Sequence, residues 1–289
     1  MSSVSEKPEA TGGKSRVKCG ICPHGCVIEE GHVGFCRARR AVGGKVTADN
    51  YGLVTSMALD PIEKKPLYRF HPGSYILSVG SYGCNLRCPF CQNYEISMAD
   101  RARVGAEYIS PAQLMEYAQK LKSRGNIGVA FTYNEPLIGY EYVRDCAEAA
   151  KQLGLKTVLV TNGYVNEQPL KDLLPLIDAM NIDLKAFTEE FYSKLGGHIE
   201  PVKQAIEIAS KQCHVEVTTL IVPGENDTPE EMRALSVWLA GVDTEIPLHI
   251  SRFFPRYKMA GANATPVDTV YSLADIAREN LKYVYEGNC

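Results

Sequence analysis

Apolar residues gather in six short runs, at 76–82, 127–132, 156–160, 180–184, 215–222 and 247–251, each with the length and composition of a buried strand. Between them, apolar positions recur at helical spacing. Leu114, Tyr117, Ala118 and Leu121 share one face of a helix opened by Ser110 as N-cap and Pro111 as its first residue. Val143, Cys146, Ala147, Ala150 and Leu153 form a second stripe, and Leu273, Ile276, Ala277, Leu281 and Val284 a last one. Thr228-Pro229-Glu230-Glu231 reads as a capping box. Six alternating strand–helix units predict parallel strands joined by right-handed crossovers. Six is fewer than the eight that close a barrel, so the expected fold is α/β, an open, partial (β/α)6 barrel over residues 71–289.

The pattern before residue 71 is different. Residues 1–16 are Ser, Glu, Lys, Gly and Thr with no apolar stretch, the composition of a disordered tail. Residues 17–70 form a cysteine-rich lobe and a connector. Gly43-Gly44-Lys45 marks a turn between two short strands. The prolines at 61, 66 and 72 argue against regular structure, and Glu63, Lys64 and Lys65 read as a solvated surface. The segment 253–270 lacks periodicity and is expected to lie over the open end of the barrel as a lid.

The chemistry concentrates in cysteines. Cys84, Cys88 and Cys91 stand in a C-x3-C-x2-C pattern on the loop that leaves the first predicted strand. Three thiolates at these offsets can hold three irons of one [4Fe–4S] cube and leave the fourth open, whereas electron-transfer clusters use four thiolates. The plain alternatives are a zinc knuckle or three buried thiols. A second group, Cys19, Cys22, Cys26 and Cys36, would close a structural zinc or another Fe–S cluster, with His24 or His32 able to replace one thiolate. The lobe has so few apolar residues that it calls for such a staple. Cys146 and Cys213 read as structural, and Cys289 has no assigned role.

Ten cysteines without a secretory apolar region point to a reducing cytoplasm and to metal ligands rather than disulfides. Net charge is −3, from 31 basic and 34 acidic residues, which leaves no footprint for nucleic acid. No apolar run is long enough to span a bilayer.

Other polar clusters fall at the predicted strand ends, where barrels of this kind do their chemistry. They are Thr132-Tyr133-Asn134-Glu135-Pro136, Val160-Thr161-Asn162-Gly163, Asn181-Ile182-Asp183-Leu184-Lys185 and His249-Ile250-Ser251-Arg252. Alternation puts Asp183 and Lys185 on one face, as a ligand-binding pair or a structural ion pair. Thr161 and Asn162 offer short polar groups to a ribose or carboxylate, or simply a turn closed by Gly163. His249 is either a core histidine or a group lining the substrate or adenine end, and Arg252 is available to an acidic group.

The Cys84-Asn85-Leu86-Arg87-Cys88-Pro89-Phe90-Cys91 motif resembles the radical S-adenosylmethionine (radical SAM) superfamily. Asp60-Pro61-Ile62-Glu63-Lys64-Lys65-Pro66-Leu67-Tyr68, together with the cysteine-rich start, looks like one subgroup, and Cys91-Gln92-Asn93-Tyr94-Glu95-Ile96-Ser97 extends that resemblance past the three cysteines. The subgroup is that of the AmmeMemoRadiSam-system radical SAM proteins, often grouped with pyruvate formate-lyase-activating enzymes. The resemblance implies a [4Fe–4S] cluster whose open iron chelates SAM, with Phe90 near the adenine. It assigns Glu135 to the SAM amino group, flanked by Tyr133 and Asn134, and Asp183 with Lys185 to the SAM carboxylate and substrate edge. It implies a low-potential donor, flavodoxin or ferredoxin, and hydrogen abstraction from a protein, peptide or small molecule by a 5′-deoxyadenosyl radical. Such a cluster is oxygen-labile, which points to an anaerobic or microaerobic host. Glycyl-radical activases carry Asp where this chain has Val160, a departure at the place where they hold a cation. The rival from another class is a non-catalytic Fe–S or zinc scaffold or electron relay.

Overall fold

The structure, a computed structural model, describes residues 15–289; the expected tail at 1–16 lies almost wholly outside them. Its centre is an eight-stranded sheet: β1 (Ser56–Pro61), β2 (Tyr75–Gly80), β3 (Asn126–Phe131), β4 (Lys156–Thr161), β5 (Ala179–Asp183), β6 (His214–Ile221), β7 (Leu248–Arg252) and β8 (Val284–Gly287). Spatial order follows chain order, and the two edges do not pair with each other. β1 lies antiparallel to β2; every later pairing is parallel. Each crossover carries helix: α1 (Pro111–Lys120), α2 (Tyr140–Gln152), α3 (Glu167–Leu173), α4 (Glu189–Lys194) with α5 (Ile199–Ala209), α6 (Pro229–Val242) and α7 (Val267–Arg278). This is the expected partial barrel, with two strands the hydrophobic pattern does not predict. β1 lies in the stretch read as connector. Val284 is not on the last helix, which ends at Arg278; it opens β8 opposite Leu248.

The helix ends follow their sequences. Ser110 and Gln113 complete a reciprocal capping box on α1. At α6 only half of one forms: Thr228 accepts from the Glu231 amide, while the Glu231 carboxylate turns to the Phe187 amide 2.6 Å away. On the helix side of the sheet, Val129, Leu159, Ile182, Val217 and Ile250 pack with Leu114, Cys146, Ile206, Leu239 and Leu273 into one core.

The inner side is closed by residues 62–70. Ile62, Leu67 and Phe70 pack on Ile76, Ala130, Val158 and Ala179, so the proline-rich string is a plug inside the barrel. Of its three charges, Lys65 is buried and pairs with Asp60 at 2.9 Å, while Lys64 stays exposed. Asp60 also accepts from the Tyr133 hydroxyl at 2.8 Å. The plug is fixed from the far side by Glu216, fully buried, which accepts from the Tyr68 and Arg69 amides at 3.0 and 2.7 Å and bonds His214 and His249 at 2.9 and 2.6 Å. Burial alone would raise the Glu216 pKa, but these four partners outweigh it and hold it at about 2. A carboxylate held below its ordinary value contributes stability that is complete above that value and disappears as pH falls through the folded pKa. Glu216→Gln should therefore cost on the order of 3 kcal/mol at pH 7. In denaturant unfolding, that gap should shrink to about half by pH 3.

The lobe contains two hairpins, Arg16–Lys18 with Val27–Glu29 and Arg39–Val42 with Lys45–Ala48. Gly43 and Gly44 take the left-handed turn between the second pair, as read. Buried Arg39 clamps this hairpin to α2 through Glu141 at 2.7 Å and to the turn just before it through the Ile138 carbonyl at 3.0 Å.

Candidate active site

β2 ends at Gly80, where an added Cβ would lie 2.8 Å from the Tyr133 ring. Tyr133 itself has φ +70°, and its ring descends into the barrel toward Asp60, with the Lys65 ammonium 4.8 Å from the ring centroid. That anchor turns the backbone after β3 so that the Tyr133 carbonyl accepts from Asn93 at 2.7 Å. Asn134 then ties the loop to the cysteine segment: it accepts from the Ser81 amide and donates to the Tyr82 and Gly83 carbonyls.

Glu135 is the hub. Its carboxylate accepts from the Leu137 amide (2.9 Å), the Thr161 hydroxyl (2.7 Å) and the Asn162 amide (2.8 Å), so one buried side chain joins the ends of β3 and β4. Burial pushes its pKa up to about 7 against those three donors. Asn162 in turn donates to the Asn85 amide oxygen at 2.9 Å and approaches the Cys84 sulfur at 3.7 Å. Lys185 pairs with Asp183 at 2.8 Å. Burial would lower the lysine's pKa, but Asp183 and the Cys88 sulfur hold it above the ordinary range.

These groups surround a cleft of about 160 Å³ at the C-terminal strand ends. Cys84, Cys88, Cys91, Tyr133, Asn134, Glu135, Thr161, Asn162, Asp183 and Lys185 all line it, as does Val160. Three residues singled out in the sequence lie elsewhere. Phe90 is buried and stacks on Phe191 at 6.0 Å. His249 bonds Glu216 inside the barrel. Arg252 donates to the Thr265 carbonyl at 2.7 Å, drawing the segment after β7 back onto the sheet. That segment reaches the cysteine loop: the Lys258 amide donates to Pro89 at 3.0 Å and Tyr257 stacks on Tyr94 at 4.6 Å.

Four contributors were not legible in sequence. Asn93 and Ser97 line the cleft. Asn85 is buried and links the Asn162 side chain to the Tyr164 carbonyl. His24, from the lobe, bonds the Asn85 carbonyl at 2.7 Å, so the lobe rests directly on the cysteine loop. Gly83 permits this contact, since an added Cβ there would meet the Cys36 carbonyl at 2.6 Å.

The three thiols fit an iron–sulfur cluster, whose irons sit at separate corners and take one thiolate each. Burial, then Glu135 and Cys88, push the Cys84 thiol well above its ordinary pKa, and burial raises Cys88 to about 11. Buried thiols of this kind ionise only beside a strong positive charge, which irons provide. The Leu86 amide, 3.3 Å from the Cys84 sulfur, and Asn162 are oriented to stabilise a thiolate there. In the lobe, Cys19, Cys22 and Cys36 are buried and Cys26 is half-buried; burial raises Cys22 to about 12.

Comparison with known proteins agrees with this geometry. The radical SAM superfamily model matches residues 78–236, more than half of the 289 in the chain. An uncharacterized protein of Methanocaldococcus jannaschii is 40% identical over 278 residues, 95% of this chain and 82% of that protein. The pyruvate formate-lyase 1-activating enzyme of Escherichia coli K12 is 28% identical over 161 residues, 53% of this chain and 63% of the enzyme. The structure of Streptococcus suis SuiB bound to S-adenosylmethionine shares the fold, with TM-score 0.58 at 14% identity over 74% of this chain and 52% of that one. This chain belongs to the radical SAM superfamily, and membership implies a [4Fe–4S] cluster and SAM. Among the described residues, no helix is long and apolar enough to cross a membrane.

Proposed function

We propose that this chain is an enzyme that cleaves SAM reductively and uses the resulting radical to take hydrogen from a protein, peptide or small-molecule substrate. The observation that carries the reading is the convergence of Cys84, Cys88 and Cys91 on one strand-end cleft with no fourth cysteine among its lining residues. The three thiolates would hold the cluster. When bound, the cluster supplies the electron that splits SAM into methionine and a 5′-deoxyadenosyl radical. The chain's own work is binding and orientation. Asp183 and Lys185 are available to the charged amino-acid end of SAM, and the Thr132–Glu135 turn, including the Glu135 carboxylate, to its amino group. Phe90, buried against Phe191, would act from behind the site rather than by touching the adenine.

The test is anaerobic reconstitution with iron and sulfide, addition of dithionite and SAM, and measurement of 5′-deoxyadenosine. A protein that takes up a cluster and makes none would be a scaffold or relay. In the cell, a flavodoxin or ferredoxin in a reducing cytoplasm would take the place of dithionite. A narrower reading, activation of a glycyl-radical enzyme, draws on the likeness to the E. coli activating enzyme. Against it stands Val160, an apolar side chain in the cleft wall. For the lobe, we propose that Cys19, Cys22, Cys26 and Cys36 hold a second metal, zinc or Fe–S. Metal content per chain should fall when Cys19 and Cys36 are both replaced by Ser.

Asn162 gives a spectroscopic prediction. A donor on a cluster thiolate favours the more negative, reduced state. Asn162→Ala removes a contact worth about 1 kcal/mol, so the midpoint potential should fall by about 40 mV for a one-electron couple. Redox titration followed by electron paramagnetic resonance measures it; an unchanged potential would separate Asn162 from the cluster.

A further inference from the structure

A second cavity, about 370 Å³, opens beside the three-thiol cleft and is lined by Gln92, Asn93, Phe254, Pro255 and Arg256. Asn93 belongs to the walls of both, so the two adjoin next to Cys91. One wall is the segment after β7, held to the cysteine loop by the Lys258–Pro89 bond and the Tyr257–Tyr94 stack. The cavity is therefore a built annex to the cleft.

Its chemistry is one-sided. Arg256 lines the cavity, Lys258 is exposed two residues further on, and the Arg252 guanidinium lies 4.8 Å from the centroid of the Phe254 ring. None of these three cations has a carboxylate partner among the described residues. None of the lining residues is acidic. The chain as a whole carries net charge −3, so this local excess of positive charge runs against the composition. Phe254 is 42% exposed and is the aromatic residue among those that line the cavity. Two exposed cations without carboxylate partners, Arg256 and Lys258, suit several carboxylates on one chain better than a single small acid, and an exposed aromatic ring beside them suits apolar side chains between those carboxylates.

We propose that this annex is the substrate-entry subsite and that it takes a peptide segment bearing Asp or Glu side chains interleaved with aromatic ones. The proposal rests on the radical SAM reading, because it places the peptide beside the third cysteine. The test uses the full chain, reconstituted anaerobically. The probe is a rhodamine-labelled peptide of alternating Glu and Phe, and the control is the same peptide with Lys for Glu, both followed by fluorescence anisotropy. The acidic peptide should bind at least tenfold more tightly than the lysine peptide and should weaken at least tenfold as salt rises from 50 to 300 mM, roughly what screening of several exposed charges allows. Arg256→Glu combined with Lys258→Glu should cost about tenfold or more and Phe254→Ala several-fold, since rim charges and an aromatic anchor both contribute. These residues are surface-exposed, and an unchanged melting temperature confirms that the variants fold.

Equal binding of the two peptides, or an affinity untouched by the double charge reversal, would overturn the proposal. So would variants that keep the acidic peptide but lose electron transfer from reduced flavodoxin, because the annex would then be a donor dock. The wild type assayed with dithionite and SAM alone separates the two readings. A protein that cleaves SAM but ignores the acidic peptide refutes only the subsite. One that binds the peptide but never cleaves SAM refutes only the radical chemistry.

Discussion

A Cys88→Ala chain, reconstituted with iron and sulfide and given dithionite and SAM, should form 5′-deoxyadenosine at less than about a thousandth of the wild-type rate, equivalent to at least about 4 kcal/mol of lost transition-state stabilisation. Cys88 is the middle cysteine of the loop, only 8% exposed, and its thiol feels both Cys91 and the Lys185–Asp183 pair. With it gone, two thiolates remain on a loop whose third anchor is missing. No replacement is at hand, because among the described residues the cleft contains no other cysteine and no histidine. Iron bound per chain and the visible cluster absorbance should drop with the activity. If iron content fell but 5′-deoxyadenosine formation survived, the chemistry would belong to some other centre, and the lobe cysteines would be the place to look.

Glu135→Leu is the second large effect. The substitution strands three buried donors, the Leu137 and Asn162 amides and the Thr161 hydroxyl. At about 1–3 kcal/mol for each, the expected loss is on the order of 4 kcal/mol, seen as a lower denaturant midpoint. SAM binding should fail as well, because the β3 and β4 loop ends are no longer tied together. Glu135→Gln should recover part of the stability, with one amide hydrogen facing a donor. The pair also sets a pH dependence. Burial raises the Glu135 pKa to about 7, so the folded chain holds a proton that the unfolded chain gives up at the ordinary carboxylate value. The stability from the neutral form is complete at low pH and is lost as pH climbs through about 7. Relative to Glu135→Gln, the wild type without SAM should therefore weaken between pH 5 and pH 8, measured by denaturant unfolding. A flat difference would mean that the three donors already keep the carboxylate ionised throughout.

How far the sequence could be read follows the solvent exposure of each element. The six interior strands are bounded by packing on both faces, so they appear as apolar runs such as Ile127–Phe131 and Val215–Ile221. The two strands that were missed are the edges. β1, Ser-Met-Ala-Leu-Asp-Pro, is half-exposed along its length and carries Asp60 for the barrel interior, while β8 is only four residues long with a tyrosine and a glutamate. Neither shows the apolar density by which strands are found. Lys65 was misread for a related reason: charge in a sequence usually means solvent, and here one ammonium is neutralised inside the plug by Asp60.

The site divides in the same way. The cysteine triplet is local, eight residues on one loop, so its spacing and its place after a strand could be read directly, while a zinc knuckle stayed open until the strand-end motifs were added. The strand-end position of Glu135, Thr161, Asn162, Asp183 and Lys185 was also legible, because barrel topology turns periodicity into location. Their bonds were not. Glu135 meets Thr161 across 26 positions and Asn162 meets Asn85 across 77, and His24 reaches Asn85 across 61. His249 and Arg252 sat at a predicted strand end and still went elsewhere, the first to Glu216 and the second to Thr265. What the chain order settled by itself was the alternation of strand and helix and the three-thiol loop, since both are written in neighbouring residues. Which polar groups face that loop, which are used up holding the plug, and how the lobe leans on the cysteines were decided only when distant segments packed together. A hydrogen bond is won by the nearest partner in space, and nearness in space is a property of the folded chain.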